Sequence, residues 1–137
     1  MKTFAAARVS VVLAVVGFVL LLAADAGAMT LNGFRAANGR PPLRASASLA
    51  AMAQSHAWSM ARRQSLDHSG FMQYRGPNGA RAENVAFGCP DTACVIGVWS
   101  RSSGHRRNML RTDVAHYGLA SAVASSGRRY WALAVGP

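Results

Sequence analysis

The segment that most constrains the fold is a short apolar run near the end of the chain, Tyr130–Val135. Apolar side chains alternate onto both of its sides, with Tyr130, Ala132 and Ala134 on one and Trp131, Leu133 and Val135 on the other. A strand with two apolar faces needs cover above and below, as a sheet between helices provides. A second β-prone run, Tyr117–Val123, is separated from it by turn residues, which predicts a hairpin. We therefore expect a small antiparallel sheet enclosed by helical layers.

A long amphipathic helix is predicted to cover one face of that sheet. Ser46 is a good N-cap residue, and the helix is expected to end near Gln64. One continuous stripe then follows at helical spacing, made up of Leu49, Met52, Ala53, His56, Ala57, Met60 and Ala61. We interpret His56, which lies on this stripe, as a packed and hydrogen-bonded core histidine rather than as a ligand.

Two further helices are predicted from their ends. The spacing of apolar residues in 30–38 indicates a short helix, which Gly39 and the two following prolines terminate, so that Leu43 returns to the core. Asp91 or Thr92 can cap a third helix, and Gly104 stands where a terminating glycine is expected. Residues 106–110 should follow as a turn or a short helix.

The first 28 residues have the pattern of a secretory signal. Lys2 and Arg8 precede an apolar run, and Ala26-Gly27-Ala28 offers small residues for cleavage after Ala28. The alternative is an uncleaved anchor, but the run is shorter than the roughly 20 residues of a spanning helix. We expect residues 1–28 to be removed and residues 29–137 to form one secreted or periplasmic, monomeric domain that does not span a membrane.

The cysteines and the charge fit an exported protein. Cys89 and Cys94 are the only two cysteines of the 137-residue chain, and in an exported domain they are expected to form a disulfide that pins the entry to the third helix. The formal charge is +10, and its arginines are scattered through the chain. Export and this scatter argue against nucleic acid, and favour either anionic envelope material as a partner or a purely solubilising role.

Three potential metal ligands lie at or beside the predicted element ends. His68 begins a turn-rich loop over 66–82, Glu83 follows that loop, and His105 follows the third helix within the polar stretch Trp99–Leu110. Long irregular loops in a compact domain tend to be functional. Imidazole and carboxylate groups bind divalent cations, zinc above all. The alternative is that the three side chains make separate surface contacts.

The scarcity of acidic residues limits the enzymatic alternatives. A glycosidase normally needs two carboxylates, and only Asp67 is available to join Glu83. Ser102 and His105 could meet on one helical turn as a nucleophile and its base, with Glu83 as the orienting group. No phosphate-binding loop or dinucleotide motif is visible.

An ordered series of short motifs resembles the CAP superfamily, also called the SCP-like extracellular domain, and within it the short bacterial secreted type. The series covers nearly all of residues 31–136. Its members are Asn32-Gly33-Phe34-Arg35, Pro42-Leu43, Leu49 through His56 to Met60-Ala61, His68-Ser69-Gly70, Glu83-Asn84-Val85-Ala86, Trp99, Ser102, Gly104-His105-Arg106, Asn108-Met109-Leu110, Tyr117-Gly118-Leu119 and Tyr130-Trp131-Ala132.

The resemblance implies an α+β fold, a three-layer α-β-α sandwich. It also implies that His68, Glu83 and His105 line one cleft. Larger family members carry a second glutamate where this chain has Ser102, so we expect weaker metal binding. Lipid or sterol binding and interaction with envelope material are further implied partners.

These observations lead to one leading hypothesis and two alternatives. The leading hypothesis is a non-enzymatic binding module that holds zinc or another divalent cation through His68 and His105. Glu83 would act as a third ligand or fix a histidine tautomer, and Asn84 and Ser102 would donate hydrogen bonds around the site. The alternatives are a metal-assisted hydrolase with Glu83 as general base, and an arginine-driven binder of anionic envelope material.

Overall fold

The computed structural model describes residues 29–137, and the predicted signal lies outside the described residues. The helices are α1 (Leu31–Ala37), α2 (Ala47–Arg63), α3 (Thr92–Ser100) and α4 (Ser103–Met109), with a π-helical turn at Phe71–Arg75. The strands are β1 (Arg44–Ala45), β2 (Ala82–Phe87), β3 (His116–Val123) and β4 (Arg129–Gly136).

The strands form one four-stranded sheet in the order β1-β3-β4-β2. The predicted hairpin of β3 and β4 is confirmed, with Leu119 opposite Leu133. Two strands were not expected from the sequence. β2 pairs antiparallel to β4, and the two-residue β1 pairs parallel to β3 at the other edge.

Helices cover both faces of β4, which confirms the predicted α-β-α sandwich. The side chains of Tyr130, Ala132 and Ala134 pack with the apolar stripe of α2. On the opposite face, Trp131, Leu133 and Val135 join a core with residues of α1, α3 and α4. Burial of both faces makes β4 the centre of the fold.

The long helix α2 lies directly on β3. Its N-cap Ser46 accepts a hydrogen bond from the Leu49 N–H, as predicted. A Cβ atom added to Gly118 of β3 would lie 2.1 Å from the backbone nitrogen of Ala50, so only glycine allows this approach. His56 is buried on the sheet-facing stripe, as the helical spacing predicted.

The prediction that the third helix ends at Gly104 is wrong. The side chain of Asp91 caps α3 at its start, and the helix ends at Ser100. Ser102 is extended, with φ −105° and ψ 121°, and a new helix begins at Ser103. Gly104 therefore lies inside α4. The helix is interrupted two residues earlier than expected, because Ser102, rather than Gly104, leaves the helical conformation.

The two cysteines form the predicted disulfide, which joins Cys89, before α3, to Cys94 in the first turn of that helix, with a Cα–Cα distance of 5.5 Å. The carbonyl of Cys89 also accepts a hydrogen bond from the Trp131 indole, which ties this connection to β4. Within residues 29–137, none of the helices has the length and apolar character that crossing a membrane requires.

Candidate functional site

The candidate site is organised around Glu83 on the edge strand β2. Its carboxylate is buried and accepts two hydrogen bonds from Arg75, one from Nε at 2.5 Å and one from Nη2 at 2.8 Å. Arg75 closes the π-helical turn, and its Nη1 also donates to the carbonyl of Ser69. This bidentate pair fixes the loop against the strand and compensates a buried negative charge.

His68 is the exposed partner of Glu83. Its Nδ1 lies 2.9 Å from Oε1 of the carboxylate, and 52% of its side-chain surface is accessible. Because a carboxylate accepts, the Nδ1–H donates and the other ring nitrogen, Nε2, keeps its lone pair. A carboxylate that orients a histidine in this way is a common arrangement behind metal ligands.

His56 lies behind the same carboxylate. Its Nε2 donates to the backbone carbonyl of Asp67 at 2.7 Å and lies 3.6 Å from Glu83 Oε1. Burial is the main reason why the pKa of His56 lies below its usual value. The ring is therefore a neutral, hydrogen-bonded core histidine, as predicted, and not an ionic partner of Glu83.

Asn84 faces the opposite side of β2 and connects the strand to α4. Its side-chain amide donates to the backbone carbonyl of His105 at 3.0 Å. Asn108 completes the bridge by donating to Asn84 Oδ1 at 2.9 Å and to the Glu83 carbonyl at 3.2 Å. Alternation along a strand sends adjacent side chains to opposite faces, so Glu83 and Asn84 hold the two flanks of the site together.

His105 supplies the second imidazole of the site. Its Nδ1 is buried and has no hydrogen-bond partner among the described residues. The ring lies 6.4 Å from the Trp99 ring, centroid to centroid. Burial, and secondarily the charge of His68, lower the pKa of His105.

The structure brings four of the five predicted site residues into one network. The His68 ring bonds to Glu83 directly, whereas His105 is joined to the same strand only through its backbone carbonyl, which accepts from Asn84. Ser102 immediately precedes α4, the helix that carries His105. Its hydroxyl does not cap that helix and forms no hydrogen bond within residues 29–137. No hydrogen bond of the described part links Ser102 to His105 as a nucleophile and base would require.

Arg75 and Asn108 belong to the hydrogen-bond network of the candidate site, although the sequence analysis assigned neither of them a role there. The sequence offered no signal for Arg75, because one arginine in a polar loop looks like any solvated charge. Asn108 was noted only as part of a motif. Both act through partners distant in the chain, eight residues for Arg75 and 24 for Asn108, so that only the folded chain reveals them.

The cleft offers two imidazoles rather than a complete metal cage. Within residues 29–137, no group of three or more histidine, cysteine, aspartate or glutamate side chains is placed to hold a metal ion. The hydrogen bonds of Arg75 and His68 already occupy both oxygens of Glu83. Within residues 29–137, His68 Nε2 and both ring nitrogens of His105 form no hydrogen bond, and of these three His105 Nδ1 is buried.

Comparison with known proteins identifies the family of the chain. The family model described as the cysteine-rich secretory protein family, CAP, matches residues 29–135. The chain therefore belongs to the CAP family of extracellular-type domains. No curated protein matches it significantly.

Solved structures show the same fold at low sequence identity. An outer surface protein of Borrelia burgdorferi is 14% identical with a TM-score of 0.64, over 77% of this chain and 85% of that one. An extracellular protein of Bacillus anthracis that contains an SCP domain is 21% identical, with a TM-score of 0.57 over 78% of this chain and 38% of that one. A cysteine-rich secretory protein of Staphylococcus aureus is 20% identical, with a TM-score of 0.58 over 78% and 36%.

Proposed function

We propose that this chain is an exported, non-enzymatic binding module in which His68 and His105 hold a divalent cation, with zinc as the first candidate. The observation that carries the proposal is the buried Nδ1 of His105, which has no hydrogen-bond partner among the described residues. A buried polar nitrogen without a partner is costly, and a ligand that binds Nδ1 itself would recover that cost.

The surroundings of the two rings suit metal binding. Donation from His68 Nδ1 to Glu83 leaves Nε2 as the metal-binding nitrogen, on a ring that is half exposed to solvent. The lowered pKa of His105 keeps that imidazole neutral near pH 7, the form that binds a metal. Of the two roles considered for Glu83, its hydrogen bonds favour that of orienting group over that of third ligand.

A site with two protein nitrogens should be weak and open. Structural zinc sites use four protein ligands and catalytic sites usually use three, so water or a ligand atom would have to complete the coordination here. Ser102, at the position of the second family glutamate, adds no carboxylate. We therefore propose exchangeable metal that bridges the module to a ligand, rather than a structural ion.

The same geometry argues against the hydrolase alternative. Within residues 29–137, Glu83 is the only carboxylate hydrogen-bonded to His68, and the guanidinium of Arg75 pairs with it inside the protein. A general base needs a free lone pair within reach of the proton that it abstracts.

Export is supported by the signal pattern of residues 1–28 and by the extracellular character of the related domains. Binding of lipid or sterol stays a prediction.

Isothermal titration with zinc tests the metal proposal. We expect saturable binding to the purified protein, weakened at least about tenfold by His68→Ala or His105→Ala, since each removes one of two protein ligands. His116→Ala is the matched control, because it removes a histidine hydrogen-bonded to Pro137 and outside the cleft network. Far-ultraviolet circular dichroism checks that each variant is folded. Equal affinities for the wild type and a folded His68→Ala or His105→Ala variant would remove the metal claim.

The binding and hydrolase interpretations are separated by turnover. Peptide and ester libraries, incubated with the zinc-loaded protein, should show no reaction above that of the buffer. Turnover that disappears in a folded Glu83→Gln variant would instead favour the hydrolase.

A further inference from the structure

A concavity lies beside α4. It has a volume of about 470 Å³ and collects arginines that are scattered along the sequence. Arg40 comes from the connection after α1, Arg106 and Arg107 from α4, and Arg111 from the connection after α4. We call this feature the arginine groove. None of the residues proposed to hold the metal lines it.

Most of the positive charge in the arginine groove is uncompensated. Arg40 and Arg107 are exposed, and neither side chain forms a hydrogen bond or an ion pair with another described residue. Arg106 donates only to the neutral amide oxygen of Asn38, at 2.6 Å. Asp113 is the only acid in the lining, and Arg111 holds both of its oxygens, at 2.8 and 2.7 Å. Three guanidinium groups therefore lack a carboxylate partner within residues 29–137.

A fourth uncompensated charge is buried beside the groove. Arg35 is 1% exposed, and its guanidinium donates only to backbone carbonyls, at Pro41, Met109 and Arg111. These bonds join the segment that carries Arg40 to the segment that carries Arg111. Burial and the neighbouring charge of Arg40 lower the pKa of Arg35. A buried cation without a counter-ion is unfavourable, and an anion bound nearby would offset that cost.

The groove also has the volume of a small-molecule site. Its volume lies within the range of roughly 300–1,000 Å³ that is typical of small-molecule sites. The guanidinium of Arg106 lies 5.1 Å above the Phe34 ring, a contact that limits its motion. Leu110 adds an apolar wall. A held guanidinium loses less conformational freedom on binding than a free one.

We propose that the arginine groove binds a phosphate-type oxyanion through Arg40, Arg106 and Arg107. The planar fork of a guanidinium matches two oxygens of a phosphate group, and several such forks at one place favour a polyvalent anion over a single carboxylate. The volume leaves room for an organic group attached to the phosphate. A soluble phosphate ester and a phospholipid headgroup share this chemistry.

Titration with inorganic phosphate, followed by amide chemical shifts, tests the proposal on the purified protein. We expect saturable shifts at residues 106–112, and affinity about tenfold weaker for each arginine removed in Arg40→Gln and Arg107→Gln, because hydrogen bonds to charged groups are strong. Both residues are exposed, so the variants should fold as the wild type does. A folded His68→Ala variant should bind phosphate normally, since the groove does not use the metal cleft.

A charge-matched control separates a site from general attraction. Arg62→Gln removes an exposed arginine of α2 that does not line the groove. It should leave phosphate affinity unchanged. Equal weakening by Arg62→Gln and Arg107→Gln would mean that phosphate responds only to net charge, and would overturn the proposal.

Vesicles distinguish the two sources of phosphate. Co-sedimentation is measured with vesicles of phosphatidylcholine alone and of phosphatidylcholine with phosphatidylglycerol. Binding to the second kind only, lost in the Arg40→Gln/Arg107→Gln variant, identifies a lipid headgroup. Binding of inorganic phosphate without vesicle binding identifies a soluble ester. Absence of both kinds of binding overturns the proposal.

Discussion

The buried pair of Arg75 and Glu83 should be the most sensitive point of the candidate site. Side-chain exposures are 7% for Arg75 and 2% for Glu83, so the substitution Arg75→Met would leave a carboxylate buried without its counter-ion. Breaking such a pair from one side costs about 3–5 kcal/mol. A domain of this kind has a free energy of unfolding of about 5–15 kcal/mol, so the loss would be a large part of the total.

An exposed ion pair in the same protein provides the matched control. Arg63 and Asp67 are 44% and 29% exposed, and the same substitution, Arg63→Met, should cost less than about 1 kcal/mol because solvent screens the pair. Both variants keep a long apolar side chain, which isolates the effect of the charge. Urea unfolding, followed by tryptophan fluorescence, gives the two free energies.

A double variant tests whether the buried charge is the cause. Arg75→Met combined with Glu83→Gln removes both charges and should regain part of the stability lost in the single variant. If Arg75→Met and Arg63→Met were equally costly, the reasoning would be refuted. The same holds if the double variant were no more stable than Arg75→Met, because packing rather than charge would then explain the loss.

Two further predictions concern pH and close packing. Burial is the main reason why the pKa of His56 lies below 6.5 in the folded protein. As the pH falls, the unfolded chain therefore binds a proton at this residue before the folded chain does. The free energy of unfolding should thus fall from about pH 7 to about pH 5. Urea unfolding of metal-free protein should show a shallower fall in His56→Gln, and an unchanged fall would contradict this. Gly118→Ala, whose Cβ would lie 2.1 Å from the Ala50 nitrogen, should cost at least about 3 kcal/mol. In Gly104→Ala, the new Cβ in α4 meets nothing within 4 Å, and the free energy of unfolding should rise by about 0.5–1 kcal/mol. Similar thermal stabilities of Gly118→Ala and Gly104→Ala would be inconsistent with the packing described.

The parts of the fold that could be predicted are those where one periodicity dominates. The two apolar faces of Tyr130–Val135 and the stripe of α2 both follow from burial that repeats at the spacing of a strand or of a helix. Both are confirmed, and together they were enough to predict the layered architecture. The disulfide could be predicted because the chain has only two cysteines and they lie close together in the sequence.

The parts of the fold that were not predicted are those where buried polar residues depend on partners from other elements. β2 was not recognised as a strand because Glu83 and Asn84 interrupt its apolar pattern, although both are buried. The burial of each depends on a partner from another element, Arg75 for one and Asn108 for the other. No local pattern encodes such pairing. The position of the break between α3 and α4 was missed for a similar reason, since Gly104 was the stronger local signal.

The central position of β4 has a consequence for how the chain acquires its structure during synthesis. β4 pairs with β2 and β3, and the side chains on its two faces complete the cores on both sides of the sheet. All of these partners are made before it. Neither core can close until the ribosome has added residues 129–136, so the growing polypeptide stays open until then. Such late closure would suit the export proposed above, because a chain must be unfolded to pass through a narrow translocation channel.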